Sequence, residues 1–218
     1  MKWRFRNGSA FVAALLVLAL AAAPVLAAST TWKLYSFNAS GRALRAQAVD
    51  VAPSGAVSFT FPTAPDAAYL LSAKIPSIGS LSARVSITAN TGTTFAYWPD
   101  GADAKVGLFF QTKSGGGFDP SDYWWSGSSR VSLTSIVATP TTLTTALSDP
   151  SLWTNFYGKP GNQAGTYEVN GITYPSAADG FAAAMANIDS WGVSFGGGSF
   201  YANGVGTPTG SAVFTLEP

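Results

Sequence analysis

The stretch Val193-Ser194-Phe195-Gly196-Gly197-Gly198-Ser199-Phe200-Tyr201-Ala202-Asn203-Gly204-Val205-Gly206 decides how this chain is read. An apolar strand with Val193 and Phe195 on one face runs into a glycine triplet, two aromatics and a second glycine turn at Asn203-Gly204. No catalytic residue sits in it. The triplet lacks the Lys-Ser/Thr partner of a phosphate loop and does not open a helix. Its glycines read as backbone devices, allowing positive φ or close approach of the chain to a sheet. The stretch predicts a strand, a bulge or kink, and a hairpin into a closing strand at Ala212 to Leu216. Val193 and Phe195 enter the core, and Phe200 and Tyr201 cover an edge.

Outward from this stretch the chain keeps the same character. Leu81, Ala83, Val85 and Ile87 alternate with Ser82, Arg84, Ser86 and Thr88, the period-two pattern of a half-buried antiparallel strand. Trp32 to Phe37, Val57 to Phe61, Tyr69 to Ala73, Thr94 to Trp98, Arg130 to Thr134 and Thr142 to Leu147 give further strands. Val106 to Thr112 is more continuously apolar, as expected of a central strand. Arg42 to Val49 mixes strand and helix signals, and Asn155 to Tyr174 is irregular. One helix stands out. Ser176 can cap it, Asp179 completes an approximate capping box, and Phe181, Met185 and Ile188 share one face. The fold class expected is therefore all-β: an antiparallel β-sandwich (jelly roll) with one short helix near 176–188.

The N-terminus reads as a signal peptide. Lys2, Arg4 and Arg6 precede an uncharged apolar run from Phe11 to Ala23, then Pro24 and a small-residue cleavage site at Val25-Leu26-Ala27. The run is shorter than the about 20 apolar residues of a bilayer helix. The expectation is residues 1–28 as signal and 29–218 as one sandwich domain, secreted or held in the cell envelope with no transmembrane anchor after cleavage. Three of the 12 basic residues and none of the 11 acidic ones precede the cleavage site, so the mature chain is near −2. That balance argues against a nucleic-acid partner. The chain has no Cys and no His. An exported domain without disulfides is more natural for a bacterium than for a small animal ectodomain. Without His, the commonest general base and most zinc sites are gone.

Leu108-Phe109-Phe110-Gln111, Tyr123-Trp124-Trp125-Ser126, and the succession of Asp149-Pro150-Ser151-Leu152-Trp153, irregular segment, short helix and Trp191-Gly192-Val193-Ser194-Phe195 carry a family pattern. In it the chain, from Thr94 to Leu216, resembles jelly-roll domains of the galactose-binding-like superfamily. It is also similar to bacterial exported proteins of unassigned function with a glycine triplet before Phe200-Tyr201. The first resemblance implies carbohydrate binding as a superfamily tendency. The loop residues with which such domains bind sugar or calcium have no counterpart here.

Tyr123, Trp124 and Trp125, with Asp119 and Asp122, form the first candidate surface. Aromatic planes stack on sugar rings and carboxylates accept hydroxyl hydrogen bonds. On a strand Tyr123 and Trp125 face one side and Trp124 the other, so the alternative of a core position applies to at least one of them. Tyr97, Trp98 and Asp100 form a second candidate surface, with Trp98 plugging a strand end as its alternative. Trp153, Phe156 and Tyr157 are expected to pin the irregular segment to the sheet. No cofactor is expected. Asp100 with Asp103, or Asp119 with Asp122, offers oxygen ligands for calcium, but the spacing lacks a calcium-loop pattern and suits ordinary turns. A glycosidase needs two carboxyl groups roughly 5 to 9.5 Å apart. The only glutamates are Glu168 and Glu217, and no acid-base pair emerges. The expected function is a non-catalytic exported sandwich that binds carbohydrate or another extracellular surface, with carbohydrate or a cell-surface polymer as the expected partner. A structural envelope or matrix protein without a small ligand is the alternative, and an enzyme acting on polysaccharides comes third.

Overall fold

A computed structural model describes residues 32–38, 42–73, 79–99, 101–112, 123–163, 165–169, 172–198 and 201–217. The expected signal segment at 1–28 lies outside these residues, as do Asp100, Asp119, Asp122 and Phe200. In chain order the strands are β1 (Lys33–Phe37), β2 (Leu44–Gln47), β3 (Asp50–Val51), β4 (Val57–Thr60), β5 (Ala67–Ser72), β6 (Ser80–Ala89), β7 (Thr94–Tyr97), β8 (Lys105–Thr112), β9 (Tyr123–Ser126) and β10 (Val131–Ser132). A short helix α1 (Leu133–Ala138) precedes β11 (Thr141–Ala146), β12 (Trp153–Asn155), β13 (Tyr167–Val169) and β14 (Ile172–Tyr174). Helix α2 (Ala177–Met185) leads to β15 (Ile188–Gly196), β16 (Val205–Thr209) and β17 (Ala212–Glu217).

These strands build an all-β antiparallel sandwich, compatible with a jelly roll. The larger sheet runs β12-β9-β8-β15-β5-β1-β2, with β10 beside β8 and β16 joining β5 to β7. The smaller runs β11-β6-β17-β4-β3. Alternation decides which side chains meet between them. From the smaller sheet come Leu81, Ala83, Val85 and Ile87 of β6 and Ala212, Phe214 and Leu216 of β17. From the larger sheet come Val106, Leu108 and Phe110 of β8 and Trp191, Val193 and Phe195 of β15. Phe59, Phe61, Phe195 and Phe214 meet with ring centroids 5.0 to 6.2 Å apart, several of them edge-on as ring quadrupoles prefer. Inside this apolar layer Ser126 Oγ and Thr145 Oγ1 share a 2.7 Å hydrogen bond that ties the two sheets together. The same Ser126 oxygen accepts the Ser129 N–H, so the buried hydroxyl is satisfied. β8 is buried on nearly every residue, because both faces of the larger sheet are covered.

The helix at 177–185 is capped as its sequence suggests. Ser176 Oγ accepts the Asp179 N–H at 3.2 Å and donates to the Asp179 carboxylate at 2.7 Å. Phe181 and Ala184 face the core. Ile188 is not on this helix but opens β15, since the helix ends at Ala186. Two other expectations are corrected. The strand proposed for Arg130 to Thr134 is only Val131–Ser132. The chain then turns into α1, which buries Leu133 and Ile136 at helical spacing. The proposed hairpin into Ala212 to Leu216 does not form. β16 pairs with β7 and β5, whereas β17 pairs with β6 and β4, so the turn at Gly210 carries the chain from one sheet to the other.

The glycine stretch opens on the end of β15, and Gly198 takes a positive φ of 62°. Val193 and Phe195 are core. Gly197 follows β15, and a Cβ there would lie inside the ring of Tyr97. Gly204 has φ +92° and backs onto the Pro65 carbonyl oxygen, a double requirement for glycine. Gly197→Ala is therefore expected to cost about 1–3 kcal/mol by overpacking. Combining it with Tyr97→Ala should recover part of that cost, giving a coupling of about 0.5–3 kcal/mol in a double-mutant cycle of urea denaturation. Strict additivity would show that the ring and the glycine do not depend on each other.

Candidate functional site

The outward face of the larger sheet is where this sandwich departs from the usual polar exterior. On β15 the outward residues Ser190, Gly192 and Ser194 are small. They leave a trough between β5 and β8, the neighbours on either side. Tyr69 of β5 and Phe109 of β8 lean over that trough and meet, with centroids 5.3 Å apart. The file continues in both directions. Tyr35 stacks on Tyr69 at 4.8 Å, Phe109 lies parallel to Tyr123, Tyr123 stacks on Trp125 at 5.6 Å, and Trp125 touches Phe156 and Tyr201. These rings form a second apolar cluster, separated from the main core by the sheet itself.

Parity along β9 divides the first predicted site. Trp124 points into the main core, fully buried against Phe110 and Phe181. Tyr123 and Trp125 point the other way, into the outer cluster, and are 5% and 3% exposed. Trp124 is thus a core residue rather than a stacking platform. Trp153 is also core, its indole N–H donating to the Ala146 carbonyl at 2.8 Å, which pins the segment as expected.

A recess of about 330 Å³ opens over the outer cluster. Its floor is Tyr69, Tyr123, Trp125 and Ala202, all buried, and its rim is Phe37, Arg42, Leu44 and Phe156, all at least partly exposed. The size lies at the lower end for small-molecule sites. In the floor the Tyr69 and Tyr123 hydroxyls share a hydrogen bond of 3.3 Å. Burial, then the neighbouring Tyr123 and Tyr35, push the Tyr69 phenol far above its ordinary range, so it stays neutral.

The second predicted site reaches this recess through Arg42, which the sequence did not single out. The Arg42 guanidinium lies 4.0 Å from the Phe37 ring centroid and 4.2 Å from that of Trp98. Its Nη2 donates to the Asn203 carbonyl at 2.6 Å. Burial lowers its pKa, and Asp66 opposes the shift; an arginine remains charged throughout. Trp98 is 44% exposed, the one predicted tryptophan with a broad solvent face among the described residues. Tyr97 is elsewhere, packed against Gly101 and Gly197. Asn203 locks these pieces together. Its Oδ1 accepts the Gly197 N–H at 2.9 Å and its Nδ2 donates to the Trp98 carbonyl at 2.6 Å.

Of the proposed calcium ligands, Asp103 is described, and it pairs with Lys105 at 3.1 Å. That contact, with a bond to Ser132, holds its carboxyl below the usual range. Among the described residues no three acidic side chains cluster as metal ligands would. Tyr69, Phe37 and Phe156 were visible in the sequence only as strand or loop aromatics; what joins them is sheet order. Comparisons with protein-family models, curated proteins and solved structures returned no match for this chain.

Proposed function

We propose that this protein is an exported, non-catalytic sandwich of the galactose-binding-like jelly-roll type. It recognises carbohydrate or another extracellular polymer through the aromatic recess on the outward face of its larger sheet. The recess supports this reading: a file of rings that ends in a floor of Tyr69, Tyr123 and Trp125 under a partly exposed rim. Such rings offer apolar planes and edges to a sugar, while the shared Tyr69–Tyr123 hydroxyl pair supplies polarity at depth. The basic N-terminus, apolar run and small-residue cleavage site support export.

The test is affinity electrophoresis through gels containing different polysaccharides. At least one should retard the protein. Phe156→Ala, at the rim, should weaken that retention about two- to tenfold while circular dichroism shows the fold retained. A structural envelope or matrix protein is the second reading, favoured by the near-complete burial of Tyr123, Trp124 and Trp125. It predicts no retardation by any polysaccharide, and that outcome would remove the first.

A further inference from the structure

Arg42 is the sole charged residue among the described residues lining the recess. Its guanidinium carbon lies over the Phe37 and Trp98 rings, and one of its N–H groups is committed to the Asn203 carbonyl. A guanidinium carries five donors in a fixed fork. The donors that remain are the polar groups Arg42 brings to a rim whose other described residues, Phe37, Leu44 and Phe156, are apolar. No direct contact among the described residues neutralises its charge. Among the described residues the ion pairs are Arg84 with Glu217 and Lys105 with Asp103, and Asp66 acts on Arg42 only through space.

The position is also held. Arg42 has φ +55°, the left-handed region that a residue with a long side chain seldom occupies. Two hydrogen bonds fix it: Arg42 N–H donates to the Asn38 carbonyl at 3.2 Å, and the Ala43 N–H donates to Asn38 Oδ1 at 3.0 Å. A cation that is partly desolvated, clamped and, among the described residues, without an ion-pair partner beside an aromatic recess is arranged for an anion that arrives with the ligand. Carboxylate matches the fork bidentately.

We infer that the recess selects a sugar bearing a carboxylate, a uronic-acid residue, and that Arg42 reads that carboxylate while the rings take the pyranose. This rests on the recess being a carbohydrate site. The near −2 charge of the chain after its basic leader makes indiscriminate attraction to polyanions a weak competitor.

The experiment uses polygalacturonate and alginate as gel probes, each beside its methyl ester, in which the same sugar rings lose their charge. At least one uronate polymer should retard the protein about tenfold more strongly than its ester. Arg42→Gln should erase that difference, and Arg42→Lys should keep part of it, with melting curves recorded for both. Equal retention of acid and ester overturns the inference, and so does acid retention untouched in Arg42→Gln. If neither uronate polymer binds, the inference fails. Neutral polysaccharides in parallel gels then decide the broader reading: retention lost in Phe156→Ala leaves the recess a sugar site, and no retention at all removes both.

Discussion

Trp124→Ala is expected to destabilise the protein by about 3–5 kcal/mol, the largest effect of any single substitution at the predicted site. Trp124 is 0% exposed and stands on the inward face of β9. Its ring lies nearly parallel to Phe110 with centroids 6.3 Å apart, and meets Phe181 of α2 edge-on at 5.1 Å. It therefore joins the larger sheet to the helix. Alanine would remove that contact and leave a void that neither a strand in mid-sheet nor a capped helix can close by moving. Against a total stability of about 5–15 kcal/mol, the loss is severe. For a chain of this size it should lower the melting temperature by roughly 6–20 °C. The urea midpoint should fall with an unchanged m-value, as for a pure stability change. A Trp124→Ala protein that melts within two or three degrees of wild type would contradict the inward placement. For the same reason Trp124 is the wrong residue with which to test ligand binding; a rim residue such as Phe156 is the right one.

The neighbouring pair Trp124-Trp125 shows what is and is not legible in this sequence. Period two puts them on opposite faces, and they are. It does not say that both faces are buried, because an outer apolar cluster needs partners from β1, β5, β8 and the segment after β15. Tyr69, Phe109 and Trp125 carry no mutual signal along the chain; only the order β9-β8-β15-β5, with small residues on β15, sets them together. Strands with one wet face, such as Leu81 to Thr88, were plain for the opposite reason. After the short strand Val131–Ser132 the apolar-polar alternation runs on through Leu133 and Thr134, but Leu133 and Ile136 are the i and i+3 positions of a short helix. The expected hairpin before Ala212 fails because partner choice is non-local. A glycine turn between two apolar runs looks the same whether the second run stays in its sheet or crosses to the other. Arg42 is the clearest case. The residue whose carbonyl holds it is 161 positions away, and that residue's own link to Trp98 spans 105. No local pattern encodes such a junction, although Asn203-Gly204 was recognisable as a turn.

Asn203→Ala should be the most damaging polar substitution, at about 2–4 kcal/mol. The residue is 9% exposed and its side chain makes two hydrogen bonds. Without Oδ1 the Gly197 N–H is left buried and unpaired, and without Nδ2 the Trp98 carbonyl loses its donor. Each orphaned group costs about 1–3 kcal/mol, with some relief where the Trp98 side reaches solvent. Asn203→Asp should not rescue the loss. It returns an acceptor to Gly197 but sets a second carboxylate oxygen against the Trp98 carbonyl. Asn203→Gln adds a methylene where the turn is closed by Gly204 against Pro65, and overpacks it. The main-chain carbonyl that holds Arg42 survives all three substitutions, so damage at the recess would come from loosening of the turn rather than from loss of that bond. Two readouts separate the effects. The urea midpoint reports the global cost, and hydrogen exchange at the Gly197 amide reports the local one. Exchange at Gly197 should accelerate in Asn203→Ala beyond what the global loss explains. An unchanged protection of that amide would mean that Asn203 does not clamp the end of β15, and that the positions of Trp98 and Arg42 over the recess are set by something else.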